Sequence, residues 1–149
     1  MSRRGRSTRL RYIRMTKLSG KTAWITGGGT GIGAGAAVAL AQSGAKVFVS
    51  GRRQEPLDAV VKAITDTGGT AEAVKLDVAS SDSVAAAAAQ IGPVDIMLAN
   101  AGLNIPKRAL ADLSTHDWDL VVNVNLNGVL YAVQNVLPGM RAKQAGTII

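Results

Sequence analysis

Thr26-Gly27-Gly28-Gly29-Thr30-Gly31-Ile32-Gly33 is the stretch of this sequence best suited to chemistry, and that chemistry is the holding of phosphate. It lies between a short strand-like run, Lys21 to Thr26, and an Ala-, Val- and Leu-rich helical pattern, Ile32 to Ser43, so the glycines predict a strand-to-helix turn. Without a Cβ the backbone of such a turn approaches an anion closely. The first amides of the following helix, with its dipole, then point at a pyrophosphate. Two registers fit: Gly29-x-Gly31-x-x-Ala34 satisfies the general dinucleotide fingerprint, and Thr26-Gly27-x-x-x-Gly31-x-Gly33 is a more specific variant. After Gly33 the chain reads Ala34-Gly35-Ala36, without the Lys-Ser/Thr pair that grips a nucleoside triphosphate, so a dinucleotide is the expected ligand. Thr30 is a candidate ligand through its hydroxyl, whereas Thr26 is expected to brace the turn.

A second cluster reads the ribose. At the end of the next strand-like run an acid would accept the ribose hydroxyls of NAD, and an arginine would pair with a 2′-phosphate. The chain has Ser50-Gly51-Arg52-Arg53 there, and no acid between Gly33 and Glu55. NADP(H) is therefore the preferred cofactor, with Arg52 well placed and Arg53 beside it, and NAD(H) is the alternative. A basic pair that merely solvates a turn is the plain structural reading.

These residues need a scaffold, and strand and helix patterns alternate from Lys21 to the end, as βαβ units feeding a parallel sheet do. A strand over Lys46 to Ser50 precedes a helix opening near Pro56 and stopped by Gly68-Gly69. A third strand, Thr70 to Leu76, ends at Asp77, and Ser80 to Asp82 then cap an alanine-rich helix closed by Gly92-Pro93. Val94 to Leu98 is a fourth strand, apolar enough to be buried on both faces, and it runs into Asn100-Ala101-Gly102. A long helix follows, opened by a Ser114-x-x-Asp117 capping box. Its expected buried stripe is Trp118, Val121, Val122, Val129, Val133, Val136, Leu137 and Met140, with Asn125 among them. A buried amide without partners costs about 1–3 kcal/mol, so Asn125 is expected either to brace backbone or to hold a water or ligand network. Gly146 to Ile149 begins a fifth strand.

Composition narrows the classes. A chain of 149 residues, 47% hydrophobic, is sized for one packed domain. It has no cysteine and one histidine, His116, so disulfides and a thiolate or poly-His metal site are excluded. A metal-free cytoplasmic protein is the expectation. No uninterrupted apolar run reaches the roughly 18 residues of a membrane span. The net charge of +7 is concentrated in Arg3, Arg4, Arg6, Arg9, Arg11 and Arg14, and the remaining chain carries eleven bases against ten acids. That arm has the composition of a nucleic-acid or membrane tether or an organellar presequence, but a disordered or non-native extension over residues 1–14 explains it equally well. The domain is then expected to run from 15 to 149, with neither nucleic acid nor membrane as a partner.

Over Met15 to Ile149 the chain resembles the short-chain dehydrogenase/reductase family. Thr26-Gly27-x-x-x-Gly31-x-Gly33 resembles its cofactor turn, including Ile32 between the last two glycines. Asp77-Val78 resembles its adenine contact, Ala99-Asn100-Ala101-Gly102 its Asn-Asn-Ala-Gly segment, and Asn123-Val124-Asn125-Leu126-x-Gly128 its long-helix motif. The resemblance implies an incomplete Rossmann-type α/β fold, a doubly wound parallel sheet of about five strands ordered 3-2-1-4-5. It implies hydride transfer between NADP(H) and a small carbonyl or alcohol, and homo-oligomers built through the long helix. Asn100, Ala101 and Gly102 would line the nicotinamide side, and Asn125 would belong to a catalytic tetrad, holding a water in a proton relay. Ala99 replaces the family's first Asn, and the segment from Asp77 to Asn100 is shorter than usual by about one helical turn. The family's Ser and Tyr-x-x-x-Lys fall beyond Ile149. Within the chain Tyr12 and Tyr131 are followed four residues on by Thr16 and Asn135, so a catalytically silent dinucleotide binder is the alternative expectation.

Overall fold

In the computed structural model residues 17–149 are described; the arginine-rich segment and the expected domain start at Met15 lie outside them. The elements are β1 (Thr22–Thr26), α1 (Gly31–Gln42), β2 (Lys46–Gly51), α2 (Gln54–Asp66), β3 (Thr70–Lys75), α3 (Ser81–Ile91) and β4 (Ile96–Ala99). They continue with α4 (Thr115–Val122), a π-helical turn (Asn123–Asn127), α5 (Gly128–Lys143) and β5 (Thr147–Ile148). All strand pairs are parallel, in the order β3-β2-β1-β4-β5, as expected from the family resemblance. In register, Thr26 faces Ser50 on one side and Ala99 on the other, so the functional segments all leave the sheet at one edge. The chain runs outward from β1 to β3 and then crosses to β4 on the other side of β1, so the winding reverses, and between the carboxyl ends of β1 and β4 a parallel sheet opens a crevice.

Side chains alternate across the sheet. Trp24, Phe48, Val74 and Met97 face α3 and α5, and Ala23, Ile25, Val47 and Val49 face α1 and α2. Both faces are buried, which is why the strands read as apolar runs. Trp24 is fully buried, and its indole N–H donates to Ser50 Oγ at 2.9 Å; Ser50 in turn donates to the Ile25 carbonyl at 3.2 Å. At the opposite edge of the sheet Asp95 accepts from the Thr22 N–H (2.9 Å) and Lys143 Nζ (2.8 Å), with Lys21 at 3.8 Å, tying the starts of β1 and β4 to the end of α5.

The long helix departs from expectation. Ser114 caps it as expected, accepting from the Asp117 N–H at 3.0 Å, but the π-helical turn shifts its register. The buried positions are Val124, Gly128, Ala132, Val136 and Met140, so only Val136 and Met140 of the expected stripe are buried; Trp118 is 56% exposed. Close approach decided the face: a Cβ on Gly128 would lie 3.0 Å from that of Val78, so small residues mark the contact and larger apolar ones were displaced from it. Asn125 is accordingly exposed, not buried. The helical run Thr115–Lys143, 29 residues, also contains an 18-residue window with a mean hydropathy of 1.3, long and apolar enough to cross a membrane, which counting uninterrupted runs did not register. Here it packs on α3 and β4, and its centre carries three asparagines.

Candidate dinucleotide-binding site

The turn after β1 divides its glycines between two tasks. Gly27 and Gly31 have φ of +66° and +56°, where a side chain is strained, and a Cβ on Gly31 would meet nothing within 4 Å. Gly33 is buried: its Cβ would lie 2.6 Å from Asn100 Nδ2 and against the Gly27 carbonyl oxygen. Gly31 thus keeps open space in front of the turn, and Gly33 lets α1 close against it. Ile32 is 83% exposed in the first turn of α1.

A small hydrogen-bond lattice sets the turn against the end of β4. Thr26, buried, accepts the Ala101 N–H on Oγ1 at 3.1 Å, which is the bracing expected of it. Asn100 Nδ2 donates to the carbonyls of Thr26 (3.0 Å) and Gly27 (3.2 Å). The Asn100 amide therefore holds the phosphate turn rather than facing the crevice.

That crevice is an open cleft of about 190 Å³. It brings together Gly27 and Thr30 from the turn, Arg52 and Arg53 after β2, Asp77 and Val78 after β3, and Ala101 and Gly102 after β4. Gly31, Ile32, Gly33, Asn100 and Asn125 do not line it. Asp77 Oδ1 accepts from the Ala79 N–H at 3.0 Å, and the Asp77 N–H donates to Ser83 Oγ at 3.1 Å, which fixes the carboxylate at the rim. Pro56, Leu57, Leu76, Leu103 and Val124 complete the apolar walls, and sequence reasoning assigned none of them to the site.

The helix starts are unequal. Ser80 and Ser114 cap α3 and α4 with side-chain hydrogen bonds, whereas Thr30 and Arg53, the N-cap residues of α1 and α2, make none. Both uncapped residues line the cleft. Orphan N–H groups and positive dipole ends there suit anionic groups.

Asn125 stands apart at the rim. Its Oδ1 accepts from the Leu103 N–H at 2.8 Å and its Nδ2 donates to the Leu103 carbonyl at 2.9 Å, so it clamps the segment after β4 across to the π-helical turn. His116 is exposed in the first turn of α4.

A family model described as short chain dehydrogenase matches residues 21–149. Oxidoreductase asL5 of Sarocladium schorii is 39% identical over 134 residues, 89% of this chain and 53% of the relative. Cis-4-hydroxycyclohexanecarboxylate dehydrogenase of Sinomonas cyclohexanicum is 39% identical over 133 residues, 87% of this chain and 53% of the relative. The crystal structure of a metagenomic short-chain oxidoreductase in complex with NADP matches with a TM-score of 0.84 at 36% identity, covering 88% of this chain and 61% of that one. The chain spans about half the length of those two curated relatives.

Proposed function

Since the chain belongs to the short-chain dehydrogenase family, we propose that it carries the cofactor-binding part of an oxidoreductase moving a hydride between NADP(H) and a carbonyl or alcohol. The observation that carries the reading is the cleft, where turns from four strand ends meet beside two uncapped helices. The residues fit the group: the open space before Gly31 admits a pyrophosphate, and the α1 amides are left to receive it. When bound, the cofactor supplies or accepts the hydride. Gly27, Thr30, Gly31, Ile32 and Gly33 form the phosphate turn, Arg52 with Arg53 pairs the 2′-phosphate, Asp77 and Val78 meet the adenine, and Ala101 and Gly102 border the nicotinamide side. Asn100 acts there by holding the turn.

Asn125 keeps one acceptor site and one N–H free after bonding Leu103, enough for the water that its family counterpart holds. Exposed Trp118, Leu126 and Leu130 on the long helix support a homo-oligomer. Cytoplasmic residence, without nucleic-acid or membrane partners, belongs to the same proposal.

The test is binding. Titrating the full 149-residue chain with NADPH and NADH, followed by nicotinamide fluorescence, should give saturable binding tighter for NADPH, and Arg52→Ala should weaken NADPH far more than NADH. Absence of saturable binding by a chain whose circular dichroism is folded would overturn the reading, and equal losses on Arg52→Ala would refute the 2′-phosphate assignment.

A further inference from the structure

Arg52, Leu76 and Asp77 of the cleft also line a second hollow, together with Lys75 and Ser83. Its walls come from neighbouring strands. Gly51 is the register partner of Lys75, and the Leu76 N–H donates to the Gly51 carbonyl at 2.9 Å, so the parallel pairing of β2 with β3 sets Lys75 beside the backbone that presents Arg52. Lys75 is exposed, and neither it nor Arg52 or Arg53 has a side-chain hydrogen bond or ion pair among the described residues. Elsewhere in the fold Lys46, Lys62 and Lys143 are paired with Glu72, Asp66 and Asp95, and the other described cations without an ion pair, Lys17, Lys107, Arg108 and Arg141, line neither hollow. Like charges gathered without counter-charges repel one another, and Asp77, engaged by Ala79, offsets only part of that. The adjoining start of α2, with Arg53 as its N-cap residue, adds uncapped N–H groups and the positive end of a dipole. Glu55, the acid of that first turn, lines neither hollow.

From this placement we infer that Lys75 is a specificity-determining residue, the cation that closes the 2′-phosphate subsite opposite Arg52. The inference rests on the NADP(H) reading above and extends it to a residue that sequence reasoning left without a role. The two cations divide the task by shape: the Arg52 guanidinium is a planar fork that grips two oxygens, and the Lys75 ammonium is a compact point charge that completes the neutralisation from β3. A lysine that only guards the edge strand against pairing with another chain would serve solubility and leave ligand preference alone.

Adenosine 2′,5′-bisphosphate and 5′-AMP differ only by the 2′-phosphate, so their affinities for the full chain, measured by calorimetry, isolate the subsite. Lys75→Gln should weaken the bisphosphate about fivefold and leave 5′-AMP unchanged, and Lys75→Arg should retain most of the native preference. Raising the salt concentration should reduce the native preference for the bisphosphate more than that of Lys75→Gln. If the native chain prefers the bisphosphate and Lys75→Gln keeps that preference whole, the inference falls and the NADP(H) reading stands. If the native chain shows no preference, both fall. Equal losses for the two ligands in a folded Lys75→Gln would likewise overturn the specificity role.

Discussion

Gly31, Gly33 and Gly35 all belong to α1, and one substitution, Gly to Ala, should produce three different results. At Gly35 a Cβ meets nothing within 4 Å and the backbone is ordinary helix, so alanine brings only its better helix propensity, about 0.8–1 kcal/mol of added stability. At Gly33 the same gain is outweighed. The new Cβ would press on the Gly27 carbonyl oxygen and lie 2.6 Å from Asn100 Nδ2, and a backbone oxygen in a tight turn cannot swing aside as a side chain does. Overpacking of this kind costs about 1–3 kcal/mol. Displacing Asn100 forfeits its hydrogen bonds to Thr26 and Gly27, about 1 kcal/mol each. The net is a loss of about 2–4 kcal/mol, a drop in Tm on the order of 10 °C for a domain of this size. At Gly31 there is no clash, but φ of +56° costs an alanine about 1–2 kcal/mol, and its methyl would project into the space before the phosphate turn. Gly31→Ala should therefore lose cofactor affinity out of proportion to its small loss of stability. Thermal and urea unfolding followed by circular dichroism, paired with NADPH titration, separates the three. If Gly33→Ala melted together with Gly35→Ala, the packing argument for the turn would be wrong.

Three further outcomes follow from the contacts. The Asp95 carboxyl is held below the usual carboxylate range, chiefly by the hydrogen bond from Lys143 and then by the Thr22 N–H. Its contribution is whole above its unfolded pKa, about 4, and is lost as pH falls through the lower folded value; Asp95→Asn should melt below the native chain at pH 7, with the gap narrowing in acid. A gap that stayed constant down to pH 3 would count against the clamp. Ser50→Ala strips the buried Trp24 indole of its acceptor and should cost about 1–3 kcal/mol in urea unfolding, where Ser50→Thr, which keeps a hydroxyl, should cost less. Asn125→Ala removes both bonds to Leu103, so amide hydrogen exchange at Leu103 should accelerate while the β1 amides keep their protection.

Much of this architecture was legible because it is local. The strand-to-helix turn, the Ser80 and Ser114 caps and the Gly92 stop are each written in two or three adjacent residues, and the alternation of periods required a parallel sheet. The strand order came through the family resemblance, and the structure has it. What escaped depended on contacts distant in sequence. The buried face of the long helix was read from its largest apolar side chains, but Gly128 occupies it because Val78 lies too close for anything larger, and a π-helical turn breaks the 3.6-residue period on which the reading relied. Asn100 was expected to face the cofactor, although its amide turns back to carbonyls over seventy residues away. Lys75 carried no motif at all; only its register with Gly51 gives it meaning.

On the proposed reading, the two bare helix starts tie the abundance of the folded form to the surrounding nucleotide pool. An anion seated at the N-termini of α1 and α2 supplies the hydrogen bonds that serines supply to α3 and α4, and the unfolded chain has no such seat. Folding and occupancy then obey one mass-action law: a hundredfold excess over Kd adds about 2.7 kcal/mol to the stability of the chain. On the proposed reading, a fall in free NADPH would be felt first as more frequent unfolding and faster proteolysis, making the lifetime of the protein itself a readout of reducing supply.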